Sequence, residues 1–183
     1  MEKSTAKARL SREDWIVGAL ELLAEKGAAA VAVEPLATRL GVTKGSFYWH
    51  FRDLAELQES MRLAWSRVST EDFIERVTRA GGDAKTRFLK LLDLTSKSPN
   101  RLERAMRAWA VANPDTAAYV AGVDARRAAF LADLFAEYGH DPSTAAAYAR
   151  LLACFVVGEM LSGLKPDGGA NAIIAATVLR VEK

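Results

Sequence analysis

Apolar positions recur at three- and four-residue intervals along most of this chain, and no stretch shows the two-residue alternation of a strand. Trp15, Ile16, Ala19, Leu20 and Leu23 form the first helical stripe. Ser11-Arg12-Glu13-Asp14 precedes it as a capping box, and Gly27 is a natural stop. Glu34-Pro35 opens a second, shorter helix with Leu36, Ala37 and Leu40 inside; Pro35 suits a first turn, where a missing amide costs nothing. Thr43 is expected to cap a third helix, and Asp53, with Glu56 three residues on, a fourth. That fourth stripe (Leu54, Leu57, Met61, Ala64, Trp65, Val68, Phe73, Ile74, Val77) runs to about Arg79, where Gly81-Gly82 breaks it. At 1.5 Å per residue such a helix spans on the order of 40 Å, enough to join a small domain to a larger one as a stiff lever. Further helices are predicted over about 83–96, 100–112, 115–139, 143–163 and 170–181. Their breaks are Ser98-Pro99, Asn113-Pro114, Gly139-His140-Asp141-Pro142 and Lys165-Pro166-Asp167-Gly168-Gly169.

The stretch from Leu40 to Phe51 says most about function. Phe47 and Phe51 lie four residues apart on one helical face and are expected to pack, whereas Lys44, Gly45, Ser46, Tyr48, Trp49 and His50 point outward. With the apolar helix ending at Gly41, this short helix has helix-turn-helix spacing. Its amide end and the Thr43 hydroxyl favour a phosphate. Gly45 removes a side chain where the helix must approach a groove floor. Lys44 can reach phosphate or a guanine edge, and Ser46 can hydrogen-bond either. Trp49 can touch thymine methyls and donate its indole N–H to phosphate. The competing expectation for Tyr48 and Trp49 is half-burial against the first helix. His50 is read as a neutral donor to phosphate, or otherwise as a satisfied core histidine. No metal site is expected, because the other histidine, His140, lies in a distant turn and no ligand-spaced Cys, Asp or Glu accompanies His50.

Half of the residues are hydrophobic and about a quarter charged, as in an ordinary soluble protein, and 183 residues allow a small domain joined to a larger one. The longest apolar run, Leu151 to Val157, is too short to span a bilayer. The first dozen residues are polar and basic, without an apolar signal segment, so a cytoplasmic location and no membrane contact are expected. Cys154 has no second cysteine with which to form a disulfide or a cysteine-rich metal site. Net charge is only +2, but residues 1–52 hold eight Lys/Arg against six acids, whereas the remainder holds seventeen of each. So small an excess is a weak nucleic-acid signal by itself and gains weight from coinciding with the helix-turn-helix. The basic arm at Lys3, Lys7 and Arg9 is expected to be a solvated tail or to enter a minor groove.

Taken in order, Trp15-Ile16, Ala19, Leu22-Leu23, Gly27, Leu36-Ala37, Gly41-Val42-Thr43, Phe47-Tyr48, His50-Phe51 and Leu57 resemble the amino-terminal domain of the tetracycline-repressor (TetR) family over roughly residues 11 to 57. The resemblance implies an all-α fold with a helix-turn-helix DNA-binding domain at 1–52, joined by a long helix to a helical ligand-binding and dimerisation domain at 53–183. It implies that Tyr48 and His50 hydrogen-bond the DNA backbone. With the residues read above, the expected DNA-binding set is Thr43, Lys44, Gly45, Ser46, Tyr48, Trp49, His50 and Arg52. Two departures bear on affinity. Ala32-Val33-Glu34 stands where the family often has a phosphate-binding hydroxyl, and Leu54 stands where a lysine commonly opens the fourth helix, a place Arg52 can take.

The carboxy-terminal part carries no nucleophile elbow, phosphate-cradling glycine loop or carboxylate pair in a recognisable frame, so no enzymatic activity, catalytic residue or cofactor is expected. Phe88, Met106, Trp109, Tyr119, Phe130, Phe135, Tyr148, Phe155 and Met160 either form ordinary core or line a cavity for a mostly apolar small molecule. The expected ligand-binding residues are Met106, Arg107, Trp109, Phe155 and Glu159. Glu159 interrupts an apolar helix, and a buried carboxylate needs a partner: an arginine such as Arg150 or one from another subunit, or a donor on the ligand. The helix from Ala145 to Met160 is apolar nearly all round. Ala146, Ala149, Ala153 and Gly158 on it permit close approach of another helix. With the Ala/Ile-rich last helix it is expected to form half of a four-helix homodimer interface, the TetR family's usual arrangement. The functional expectation is a DNA-binding repressor released from a palindromic operator by a small-molecule effector. A ligand-independent dimeric regulator is the first alternative. A helical ligand carrier or enzyme with a vestigial small domain is the second, and the intact Gly41-Val42-Thr43 turn argues against it.

Overall fold

The computed structural model describes residues 10–96, 100–162 and 168–180, and every regular element among them is helical. The chain divides into two compact units between Trp65 and Ser66. The breaks expected at Ser98-Pro99 and Lys165-Pro166-Asp167, and the arm of Lys3, Lys7 and Arg9, lie outside the described residues.

The first unit contains α1 (Arg12–Lys26), a 3-10 turn (Ala28–Ala30), α2 (Val33–Leu40), α3 (Lys44–Phe47) and α4 (Leu54–Ser66). The capping box at α1 forms: the Ser11 hydroxyl accepts from the Asp14 amide at 3.2 Å and the Asp14 carboxylate accepts from the Ser11 amide at 2.7 Å. Trp15, Ile16, Ala19, Leu20 and Leu23 are buried as the stripe requires. Gly18 sets the crossing of α1 on α2, because a Cβ there would lie 2.9 Å from Leu40 Cδ2. Gly41 ends α2 in the left-handed region (φ 66°), which lets the Val42 amide donate back to the Ala37 carbonyl at 3.0 Å. Asp53 caps α4 by accepting from the Glu56 amide at 2.9 Å.

Thr43 departs from expectation. It occupies the cap position of α3 with extended backbone, yet its side chain makes no capping bond. The Ser46 amide is taken instead by the Thr43 backbone carbonyl at 3.0 Å. The α-helical part of α3 is one turn, so an appreciable helix dipole for phosphate does not build up there.

The second unit contains α5 (Asp72–Ala80), α6 (Ala84–Ser96), α7 (Arg101–Ala112), α8 (Pro114–Tyr138), α9 (Pro142–Ser162) and α10 (Gly168–Val178). The punctuation read from sequence is visible as caps. Asn113 accepts from the Thr116 amide at 2.8 Å with Pro114 in the first turn of α8, and Gly139 closes that helix at φ 118°. Asp83 and Asp141 accept amides at the starts of α6 and α9, and the hydroxyls of Thr86 and Thr144, together with those amide bonds, hold both carboxyls below the usual range. The core is built where α8 meets α6 and α9: Phe88 packs edge-to-face on Phe135 at 5.1 Å, with Leu131, Leu134, Ala145, Ala149, Leu152 and Val178 around them.

Two details differ from the periodicity. The long fourth stripe is not one α-helix, because Arg67–Glu71 is π-helical. Arg127 of α8 answers the irregular backbone, donating from Nη2 to the Ser69 carbonyl at 3.1 Å and from Nε to Thr70 Oγ1 at 2.9 Å. An apolar stripe carries no record of such a polar contact. Ala149, expected to face another chain, is 1% exposed within its own, against the α8 core. α9 as a whole, at 21 residues, is long and apolar enough by length and composition to cross a bilayer, although its longest uninterrupted apolar run is not. Of its residues only Ala145, Ala149 and Leu152 are buried in the unit's core, which leaves most of its apolar surface uncovered within the chain.

Candidate nucleic-acid interface

The interface candidate is the outer side of α3 and the turn that follows. Its platform is aromatic. Phe47 stands edge-on to Trp15 at 5.5 Å and stacks on Phe51 at 5.3 Å, and both phenylalanines are buried. The Arg12 guanidinium lies 4.6 Å over the Phe51 ring, and its Nη2 donates to Ser60 Oγ at 2.8 Å and Glu56 Oε1 at 3.3 Å, tying α1 to α4. With Phe47 and Phe51 held inward, helical geometry turns their neighbours outward.

Those neighbours are exposed. Tyr48 is 62% and Trp49 78% accessible, which removes the reading that they are half-buried against the first helix. The Tyr48 ring rests edge-on against Phe47 at 5.3 Å, so its base is fixed while its hydroxyl end faces outward. Thr43, Lys44 and Gly45 are exposed, and Ser46 is half-buried. A Cβ on Gly45 would find only Thr43 Oγ1, at 3.8 Å, so nothing inside the chain requires glycine there. His50 is half-buried, its ring 6.5 Å from that of Trp15 and its amide bonded to the Phe47 carbonyl at 2.9 Å. It therefore sits at the rim between platform and outer face.

The charges on this side are paired. Lys44 Nζ lies 2.7 Å from Glu34 Oε2. The Arg52 amide and Nε donate to Glu56 Oε2 at 2.9 and 3.2 Å and hold that carboxyl below its usual range. Arg39 bonds both Glu25 and Glu21, which raises its pKa, Glu25 contributing most. The sequence alone shows Lys44 and Arg52 as bases able to reach DNA, and it does not show the pairing with Glu34 and Glu56. The signal was present only in the ten-residue separation of Glu34 and Lys44 across a turn.

The residues expected at a ligand site fall on two elements of the second unit. Met106 and Trp109 on α7 are buried. Arg107 beside them gives a bidentate pair to Asp124, at 2.9 and 2.7 Å, and a further bond to Glu103 at 2.8 Å. Its pKa is raised, chiefly by the bond to Asp124. Phe155 on α9 packs against the Phe88–Phe135 core. Glu159 is only half-buried and makes no ion pair among the described residues, with Arg150 or otherwise. A cleft of about 400 Å³ on α9 and α10 is lined by Tyr148, Ile173, Ala176, Thr177 and Arg180; Tyr148 is among the residues read from sequence as core or cavity lining, and none of the five is among Met106, Arg107, Trp109, Phe155 and Glu159.

The profile of bacterial regulatory proteins of the tetR family matches residues 16–61. The HTH-type transcriptional regulator Rv0681 of Mycobacterium tuberculosis is 31% identical over 191 aligned positions, covering 98% of this chain and 84% of that protein. The HTH-type transcriptional regulator TtgW of Pseudomonas putida is 32% identical over 59 residues, covering 32% of this chain and 44% of TtgW. That match thus spans less than half of the relative's length. In three dimensions the regulator SCO7518 of Streptomyces coelicolor A3(2) aligns with a TM-score of 0.63 at 24% identity, over 91% of this chain and 95% of that chain, which is a likeness of fold.

Proposed function

This chain belongs to the TetR family of bacterial regulatory proteins and is a DNA-binding transcriptional regulator, and from that premise we infer that it represses as a homodimer on a palindromic operator, with α3 in the major groove. The observation that carries this reading is the division within five residues: Phe47 and Phe51 are closed into the core while Tyr48 and Trp49 are 62% and 78% open. Thr43, whose hydroxyl caps nothing, and Gly45, which no intrachain contact demands, fit a surface shaped by a partner. In this reading Thr43, Ser46, Tyr48, His50 and Arg52 position the backbone, and Lys44 and Trp49 reach base edges across Gly45. Lys44→Ala and Tyr48→Phe are each expected to weaken binding to a duplex selected from a random library by roughly 1–3 kcal/mol in fluorescence anisotropy, with unchanged thermal unfolding. Wild-type affinity in both variants overturns it.

Dimerisation is supported by α9. Among its exposed residues, Ala147, Leu151, Cys154, Gly158 and Leu161 follow four-three-four-three spacing, the seam of helices packed knobs-into-holes. Leu151 and Leu161 are 65% and 53% accessible, and Ile173 on α10 is 69%. Leu151→Glu is expected to give a folded monomer in light scattering at micromolar concentration and to abolish operator binding with it. A dimer that survives both this change and Ile173→Glu argues for a different interface.

Release by a mostly apolar small molecule completes the reading, through differential affinity for the DNA-binding and non-binding states. Met106, Trp109 and Phe155 supply apolar surface for such a ligand. The commitment of Arg107 to Asp124 and Glu103 favours instead a regulator without an effector at that place. Screening compounds against the preformed operator complex separates the two: release by any of them carries the first, and retention throughout the second.

A further inference from the structure

The indole N–H of Trp15 is buried without a partner: the residue is wholly inaccessible, and Nε1 makes no hydrogen bond among the described residues. A buried donor left in this way is costly and uncommon, so its retention calls for a reason outside the packing of the core. Among the described residues, the rings in contact with Trp15 are Phe47 and His50. An indole nitrogen can only donate, and of these two rings only the imidazole has a nitrogen that accepts. His50 is half-buried at the edge of the α3 face, its ring centroid 6.5 Å from that of Trp15 and inclined at 46°. Its backbone is fixed by the amide bond to the Phe47 carbonyl at 2.9 Å, whereas neither ring nitrogen is bonded among the described residues. We propose that Trp15 is a positioning residue for DNA binding: it donates to one nitrogen of His50 and so directs the N–H of the other at a phosphate of the DNA backbone. The inference rests on the reading that α3 faces DNA.

A neutral imidazole has one donor and one acceptor, and which nitrogen carries the proton is set by what the other is bonded to. Each nitrogen lies at the edge of its ring. Centroids 6.5 Å apart therefore bring the two edges within a side-chain turn of the ~3 Å that a hydrogen bond requires. The two bonds are coupled. Donation from Trp15 fixes the tautomer and ring plane that aim the His50 N–H outward, and the phosphate holds the ring where it accepts from Trp15. The complex thereby satisfies a buried N–H that the free protein leaves unpaired, which adds to affinity. A neutral donor cancels no phosphate charge and reads no base, so neither the salt slope nor the sequence preference changes with it.

Trp15→Phe removes the N–H together with part of a wholly buried ring, and the unit can unfold for that reason alone. The test therefore places benzothienylalanine at position 15 of the full chain, which keeps the bicyclic ring and replaces N–H by sulfur. Thermal unfolding is expected no lower than in wild type, since no bond within the chain is lost. Affinity for the selected duplex and for an unrelated duplex of equal length is expected to fall by the same factor, about five- to tenfold, with the log–log salt slope unchanged. In a His50→Phe background the same replacement is expected to change either affinity by less than about twofold, as coupled residues require. In isotope-labelled wild type, the Trp15 indole N–H resonance is expected to move downfield on adding duplex and its exchange with solvent to slow. Wild-type affinity for both duplexes in the benzothienyl protein would overturn the proposal, as would a loss that persists without His50. An indole resonance that does not respond to DNA would overturn it too. Failure of the underlying reading is distinct, since it shows as wild-type binding by Lys44→Ala and Tyr48→Phe, changes that leave Trp15 and His50 in place.

Discussion

Phe47→Ala or Phe51→Ala is expected to unfold the amino-terminal unit and to eliminate DNA binding with it. Phe47 is wholly inaccessible and Phe51 2% accessible. Truncating a buried phenylalanine costs about 3–5 kcal/mol, through lost transfer energy and the cavity left behind. Here the loss compounds. Phe47 contacts the rings of Trp15, Phe51 and Tyr48 at 5.5, 5.3 and 5.3 Å, and Phe51 supports the Arg12 guanidinium that joins α1 to α4. A unit ending at Trp65 has a small core, with a stability toward the lower end of the 5–15 kcal/mol usual for folded domains. Hydrogen exchange is the measurement, because it resolves the two units. Amides of α1 and α2 should lose protection while those of α8 and α9 keep theirs. Trp49→Ala is the contrast: a 78% exposed side chain should leave protection unchanged within about 0.5 kcal/mol. Retained protection at α1 in Phe47→Ala would mean that another set of residues holds this unit.

The contrast between Phe47 and Tyr48 was legible in the sequence because it depends only on helical period and side-chain polarity. The same holds for the capping box at Ser11, the stop at Gly41 and the breaks at Asn113-Pro114 and Gly139, each a local rule about who satisfies an orphan amide or carbonyl. What escaped were contacts between residues distant along the chain. Lys44 looks like a free base until α2 folds back and sets Glu34 against it. Arg107 looks like a pocket donor until Asp124, seventeen residues on, accepts both ends of its guanidinium. Thr43 failed as a side-chain cap for a local reason of another kind: α3 is one turn long, and the backbone carbonyl reaches the Ser46 amide first. The small-residue pattern on α9 marked helix approach correctly but not its direction, since Ala149 turns to α8 of the same chain and Gly158 to the open side.

Glu103→Ala should be among the most destabilising single changes in the second unit. Glu103 is 8% accessible, and its carboxylate accepts from Arg127 Nη1 and Nη2 at 2.8 and 3.1 Å and from Arg107 Nη2 at 2.8 Å. Removing it leaves two guanidinium groups together without the anion between them. Breaking a buried pair in this way costs about 3–5 kcal/mol. The lower end applies, because Arg107 keeps Asp124 and the Arg127 side chain retains 25% of its accessibility. Arg127 also bonds Ser69 and Thr70, so amides of the π-helical stretch Arg67–Glu71 should exchange faster than those of the Phe88–Phe135 core. Acid supplies an independent check. Burial pushes the Glu103 carboxyl up, but the bonds and charges of Arg127 and Arg107 outweigh it and hold the group below the usual glutamate range. A carboxyl depressed on folding contributes fully above its unfolded value, about 4.3, and its contribution disappears as pH falls through the lower folded value. The stability gap between wild type and Glu103→Gln in urea should therefore be constant from neutral pH to about pH 5 and close below about pH 4. A gap under about 1 kcal/mol at neutral pH, or one that persists in acid, would show that the arginines are held by something other than this carboxylate.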